Sequence, residues 1–255
     1  MPFEFAFFTA LPKAFEKLFE DYQRSVSASK AAPRISIIIP ACNEEQYMPA
    51  TLEALARQTY KNFEVIVVTN GCTDKTAEVA SGHCDQLIVL KEKGLGPARN
   101  LGAQKAMGEI LLFLDADTLL EPDALKIVAQ NFRPKHAMGT LKGQPDTQRL
   151  TYKIIYLLKN AIHFSHIHFG SSGVILCWKE HFQKVGGFDD ALYLRENSHL
   201  MKRLRQFGRY KYIHRTKAVT SMRRYESKGP WDMIQFWFKI WILSFFSDLR
   251  NKTYG

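Results

Sequence analysis

With 255 residues, 46% of them hydrophobic and 24% charged, the chain falls in the ordinary globular range, which excludes disorder and suits one large domain or one and a half. The formal charge is +10, and residues 201–228 hold ten basic side chains against one acid, Glu226, so nearly the whole surplus lies in one stretch. Four scattered cysteines without a C-x-x-C pair or a secretory leader argue against a disulfide framework or a zinc site and favour a reducing, cytoplasmic setting. No run of about 18 uncharged apolar residues proposes a membrane span.

Phe8, Leu11, Phe15, Leu18, Phe19 and Tyr22 recur at helical spacing and predict an amphipathic N-terminal helix, followed by the linker SVSASKAAP. From residue 35 the pattern becomes β-α units. ISIIIP is followed by a helix over 48–57, FEVIVVTN by a helix starting near Thr73, QLIVL by a helix over 98–107, and then comes EILLFL. These strands are continuous apolar runs, as in parallel strands buried on both faces, so the predicted fold is α/β with helices above and below the sheet. Next come a helix over 150–164, the strand SSGVILCW, a helix to Val185, the turn GGFDD and a helix over 196–207. Two short basic strands, RYKYIH and KAVTSM, precede a Trp- and Phe-rich helix over 231–249.

In such sheets ligands bind at the carboxyl ends of the strands. Those ends carry Pro40, Ala41, Cys42, Asn43 and Glu44, then Thr69, Asn70 and Gly71, and finally Asp115 and Asp117. Two carboxylates two residues apart after an apolar strand can aim at one point and hold a hard cation, Mg²⁺ or Mn²⁺, beside a diphosphate. The other reading of the same residues is a helix start, with Asp117 or Thr118 as N-cap and Pro122 in the first turn.

Four ordered blocks, PACNEE, TNGCTDKT, GLGPARNLGAQKAMGEILLFLDADT and GGFDDALYLRENSHLMKRLRQFG, resemble the family 2 glycosyltransferases of the GT-A fold over residues 33–221. The resemblance implies a GT-A-like, mostly parallel sheet flanked by helices, with the N-terminal and C-terminal amphipathic helices as additions. It divides the chain into residues 1–33, a glycosyltransferase domain over 34–221 (nucleotide-binding half 34–118, acceptor half 119–221) and a C-terminal aromatic helix over 222–255. It also implies a nucleotide-diphospho-sugar donor, UDP-linked as the first expectation, a divalent metal, and sugar transfer to a hydroxyl by an inverting, hexosyltransferase-type enzyme.

Carried over residue by residue, the resemblance places the donor against Pro40, Ala41, Asn43, Glu44, Asn70, Arg99 and Asp115, and the metal against Asp115 and Asp117. A late histidine serves as a metal ligand in several GT-A enzymes, which makes His214 a candidate, against its reading as a surface residue. Arg99 stands near base or phosphates, or else ion-pairs to support its helix. Two positions depart from the family pattern. Asn70 stands where an acid is usual, and an amide both donates and accepts, so base identity is open. Arg195-Glu196-Asn197 replaces an acidic pair; Glu196 can deprotonate the acceptor whereas Asn197 cannot take a proton, so if the usual base position falls on Asn197 either Glu196 takes over or the protein is impaired or uses a retaining route, and the alternative for Glu196 is a first-turn acid favoured by the helix dipole.

Arg223 and Arg224 follow the last strand, and arginine forks suit a diphosphate leaving group. The aromatic terminal helix beside the basic stretch matches an interfacial element that would hold the protein peripherally on an anionic inner membrane face, with a lipid-linked acceptor, or else packs on the core. Two other functions compete: a catalytically impaired nucleotide-sugar-binding or membrane-binding module, and a nucleotidyltransferase, for which PACNEE lacks the Gly-rich, Arg-containing loop. No nucleic-acid-reading module accompanies the charge, so nucleic acid is not an expected partner.

Overall fold

The computed structural model describes residues 32–165, 171–192, 195–233, 235, 236 and 239; those from Pro33 onward belong to one unit. The N-terminal helix and most of the C-terminal one therefore lie outside the described residues. In chain order the elements are β1 (Ile35–Ala41), α1 (Met48–Ala56), β2 (Phe63–Asn70), α2 (Thr76–Ala80), β3 (Gln86–Leu90), α3 (Leu95–Lys105), β4 (Ile110–Leu114), β5 (Thr118–Leu120) and α4 (Ala124–Asn131). They continue with β6 (His136–Pro145), α5 (Leu150–Ser165), β7 (Val174–Trp178), α6 (Lys179–Lys184), α7 (Glu196–Leu204), β8 (Arg209–Thr220) and α8 (Arg223–Lys228).

One eight-stranded sheet runs in the order β3-β2-β1-β4-β7-β6-β8-β5. Neighbours are parallel from β3 to β4 and between β6 and β8, while β7 runs antiparallel to both β4 and β6 and β5 antiparallel to β8. Alternation along the apolar strands feeds two cores. Ile35, Ile37, Ile39, Val65, Val67, Ile110 and Leu112 meet α1 and α4 on one face. Ile38, Ile66, Val68, Leu111 and Phe113 meet α3 and α7 on the other.

The structure corrects two expectations and adds a strand. The two basic strands are one, β8, whose register against β6 slips between Leu141 and Lys142; that bulge absorbs His214, Arg215 and Thr216, the last two of which read in sequence as a break. Thr118 opens a strand rather than a helix, and the helix beyond Pro122 begins at Ala124, so the N-cap reading of Asp117 fails. A ten-residue strand, β6, occupies HAMGTLKGQP, where glycines, lysine and glutamine hide any strand period.

Helix α3 lies close on β1 and β2 because residue 102 has no side chain: a Cβ there would sit 2.5 Å from Ile38 Cγ2 and 3.2 Å from Val68 Cγ2. A Gly102→Ala variant should lose about 1–3 kcal/mol to overpacking, less about 1 kcal/mol of helix propensity regained. A fall in the urea midpoint checks this, and an unchanged midpoint would mean that the helix shifts at no cost. At the start of β6, buried His136 accepts from the Arg133 amide through Nδ1 at 3.0 Å. Burial, then Lys211, Lys135, Arg133 and Arg209, push its pKa down to about 4. A depressed histidine stays neutral in the folded chain while the unfolded chain takes up the proton, so stability is lost as pH falls from about 6.5 toward about 4, up to about 3 kcal/mol. The difference in unfolding free energy between His136→Asn and the parent should close across that window.

Candidate functional site

The carboxyl ends of β1 and β2 are laced together by their loops. Asn43 takes a left-handed conformation at φ 57, which asparagine tolerates, and its side chain donates to Thr73 Oγ1 at 3.2 Å while accepting from the Thr73 amide at 2.8 Å. The Glu44 amide donates to Thr76 Oγ1 at 2.7 Å and the Glu45 amide to Asp74 Oδ2 at 3.1 Å. Asn70, buried, donates through Nδ2 to the Ala41 carbonyl at 3.0 Å and accepts from the Gly94 amide at 3.2 Å. An aspartate could not make the first of these bonds, which accounts for an amide at this position. Pro40 and Ala41 are buried in the strand itself.

Asp115 and Asp117 leave β4 in a tight turn, Thr118 N–H donating to the Asp115 carbonyl at 3.0 Å. Thr118 pairs with Thr220, and this brings the chain after β8 alongside: Ser221 N–H donates to the Asp117 carbonyl at 3.2 Å. Arg223 then reaches both Asp117 Oδ2, at 3.2 Å, and the Glu44 carboxylate, with its guanidinium 4.2 Å from the Tyr47 ring centroid. Burial first, and the charge of Asp115 second, push the Asp117 carboxyl up to about 6, against the pull of Arg223. Glu44 Oε2 is buried without a hydrogen-bond partner. Carboxylate oxygen is in excess here, and that is the donor chemistry of a hard divalent cation.

A second network centres on Arg99, only 2% exposed. Its Nη2 donates to Asp115 Oδ1 at 3.1 Å, and its Nη1 donates to Glu196 Oε1 at 3.3 Å and to Asn197 Oδ1 at 2.7 Å. The Phe188 ring, from the GGFDD block, lies 5.1 Å from the guanidinium, and Asn197 Nδ2 donates to Ser171 Oγ at 3.1 Å. Arg195 caps α7 in a left-handed conformation, φ 61, and so turns Glu196 inward. Burial raises the Glu196 carboxyl above the usual range although Arg99 opposes the shift.

The structure therefore brings Glu44, Asp115, Asp117 and Arg223 to one edge, and ties Arg99, Glu196 and Asn197 to Asp115. Arg224 is exposed on the first turn of α8. His214 is exposed on β8 six residues before Thr220, about 20 Å along an extended strand, and is not brought to the acids. Among the described residues no three His, Cys, Asp or Glu side chains form a metal cluster.

Sequence reasoning missed Tyr47, Ser171 and Phe188, and also the inner face of α5. There Tyr156 feels the charges of Asp115 and Asp117, and Lys159 feels that of Asp115. A signal exists: Tyr152, Tyr156, Lys159 and His163 recur at steps of four and three, one helix face that carries polar atoms.

Known proteins place this geometry. A curated relative described as an uncharacterized glycosyltransferase of Haemophilus influenzae is 30% identical over 183 residues, 68% of this chain and 62% of its own length. A PGL/p-HBAD biosynthesis glycosyltransferase of Mycobacterium bovis is 42% identical over 106 residues, 39% of this chain and 41% of its own. The chain thus spans less than two thirds of the length of these relatives. Among solved structures, a mannosyltransferase of Pyrobaculum calidifontis in complex with GDP-Man and Mn²⁺ superposes with a TM-score of 0.63 at 20% identity, over 80% of this chain and 64% of that one. S. aureus TarS in complex with UDP gives 0.56 at 22%, over 74% and 61%. At such identities the likeness shows a shared fold, here GT-A. The model of glycosyl transferase family 2 matches residues 36–186, well over half of the sequence, and the chain belongs to that family.

Proposed function

We propose that the chain transfers a sugar from a nucleotide-diphospho-sugar, UDP-linked as the first candidate, to an acceptor hydroxyl with inversion at the anomeric carbon. The observation that carries this is the paired network at the sheet edge: Asp115 belongs at once to the acidic cluster with Asp117 and to the Arg99 link with Glu196. A donor bound at the first element of that pair has its reacting carbon presented to the second. The nucleotide complexes of the structural neighbours support a nucleotide-sugar donor. The four cysteines are free thiols, which suits a cytoplasmic site of action. No helix among the described residues is long and apolar enough to cross a membrane.

Asp115 and Asp117 would hold Mg²⁺ or Mn²⁺, whose charge would offset that of the departing diphosphate. Glu44 keeps Arg223 over the cluster, and Arg223 and Arg224 supply fixed positive charge where the leaving group gains negative charge. The backbone of residues 40–44 and the segment around Asn70 line the nucleotide end. In the transfer step the acceptor oxygen bonds to the anomeric carbon, the carbon–phosphate oxygen bond breaks with its electron pair leaving on the nucleoside diphosphate, and the acceptor proton passes to Glu196. Its raised pKa brings that carboxylate closer to the range useful in a base, and Arg99, itself bonded to Asn197, holds its orientation. His214 would join the metal only through a rearrangement of β8.

A second reading is favoured by one observation: Asn197 cannot accept a proton and Glu196 already bonds Arg99, a combination suited to a module that binds a nucleotide sugar without turning it over. Release of nucleoside diphosphate from a panel of nucleotide sugars with Mn²⁺ separates the two.

With UDP-sugar at about 100 times its Kd and Mn²⁺ present, the folded chain should gain about 2.7 kcal/mol, read as a raised melting temperature. Asp117→Asn should lose the Mn²⁺-dependent part; an unchanged Mn²⁺ response would remove Asp117 from the metal site. Glu196→Gln should keep the donor-induced stabilisation while kcat falls about 10²- to 10⁴-fold. Full activity in that variant would overturn the base assignment.

A further inference from the structure

Helix α5 is built inside out for a helix on a protein surface. The side chains it turns inward are those with polar atoms: Tyr152, Tyr156 and His163 are buried, His163 Nδ1 lies 3.2 Å from the Tyr210 hydroxyl, and Asn160 bonds both the amide (3.0 Å) and carbonyl (2.8 Å) of Gly143. The side chains it turns outward are mostly hydrocarbon, with Thr151, Lys153 and Ser165 as the polar ones. Leu150, Ile154, Leu157, Leu158, Ile162 and Phe164 are each at least 47% exposed, a continuous stripe along the whole helix. A soluble surface helix shows the opposite arrangement, and an apolar exposure of this extent marks an interaction surface.

Its charge says what kind. Helix α5 contains no Asp or Glu, and Arg149 and Lys153 beside the stripe are exposed. Helix α8 lies against the same helix through Met222 and Tyr225, which pack with Tyr152 and Tyr156. It adds the exposed Arg224 and Lys228, and Trp231 just beyond is 70% exposed. The one acid of α8, Glu226, sits 3.9 Å from Arg149. Two copies of this face would set cation against cation around their apolar centre. An anionic bilayer instead meets apolar stripe, basic rim and interfacial tryptophan together.

We propose that the outer face of α5, with the basic edge of α8, is the surface by which this chain docks on an anionic lipid bilayer. The helix would lie in the interface plane, its leucines and isoleucines among the acyl chains and its cations at the headgroups. This docking deepens the reading of the site as a transferase. A groove of about 320 Å³ runs between α5 and the end of β6, lined by Lys142, Gln144, Gln148, Lys153, Tyr156 and Leu157. Leu157 of the apolar stripe and buried Tyr156 both line it. An acceptor whose polar head enters that groove can keep a hydrocarbon tail in the membrane, so the acceptor class that fits is a lipid-borne one.

The test is flotation of the full chain with vesicles of phosphatidylcholine alone or containing phosphatidylglycerol. The expected result is binding to the anionic vesicles that weakens with salt. Leu158→Glu with Ile162→Glu, two positions outside the groove, should weaken it by about tenfold or more, and Leu158→Gln with Ile162→Gln, which adds no charge, should act in the same direction. Nucleotide-sugar-induced melting shifts should be unchanged in both, which shows that they fold. Absence of binding by the parent chain, or parental binding in both double variants, overturns the proposal. So does a concentration-dependent dimer that the variants dissolve, since the occupant is then a second copy. Vesicle binding without any sugar transfer would leave the docking face standing and remove the transferase reading, so the two fail separately.

Discussion

The buried guanidinium of Arg99 is the constraint on which the site depends. It is enclosed by four parts of the chain that are far apart in sequence: its own helix α3, the turn after β4 through Asp115, the Phe188 turn, and the start of α7 through Glu196 and Asn197. A charge this deep is tolerated only with partners, and leaving one buried partner alone costs about 3–5 kcal/mol. The interaction is therefore mainly a specification of geometry. It fixes how helix α3, the acidic turn and the last helix of the second core face one another. Gly102, one turn further along α3, lets that helix come near enough to β1 and β2 for Arg99 to reach.

The acidic cluster follows a different logic. Asp117, Asp115 and Glu44 crowd negative charge at the sheet edge, and one arginine, Arg223, is drawn in from beyond β8 to meet two of them. That balance is incomplete, since Asp117 is still pushed up to about 6 and one Glu44 oxygen has no hydrogen-bond partner. The proposed divalent cation would offset that shortfall of positive charge. Of the basic surplus of residues 201–228, Arg223 in contact and Arg224 at longer range act on the cluster. Apart from Arg223, the cations placed by α8, Arg224 and Lys228, face solvent.

Much of this was legible from residues alone, and the reasons differ by element. β1, β2 and β4 are buried on both faces and so read as unbroken apolar runs, which marked the parallel half of the sheet and the edge where the loops converge. Asp115 and Asp117 stood out because they end such a run. β6 was invisible because His136, Lys142 and Gln144 interrupt it, and its place is set by pairing with β8 and β7 rather than by local preference. Arg99 left two readings open, support or ligand contact, because a sequence does not say which distant acids converge on it. Arg223 was found for its fork chemistry, but its partner Glu44 lies 179 residues away and is reached only because β5 and β8 pair. Asn70 stood out as a departure from the family pattern; that its amide must donate to a carbonyl of the neighbouring strand is visible only once the strands are in register.

Helix α5 shows how position changes the meaning of a pattern. Its 3.6-residue period is clear in the sequence, and the ordinary inference would bury Leu150, Ile154, Leu157, Leu158 and Ile162 while exposing the tyrosines. The fold does the reverse because the neighbours on its inner side are polar: the Gly143 backbone and the Tyr210 hydroxyl offer hydrogen bonds that a leucine cannot make. Polar partners inside and hydrocarbon outside are two parts of one arrangement, since unsatisfied polar groups buried beneath leucine would cost more than leaving the leucines out. A chain that accepts that exposure in water has a reason for it, and an apolar face with a basic edge is the shape such a reason takes at a lipid surface.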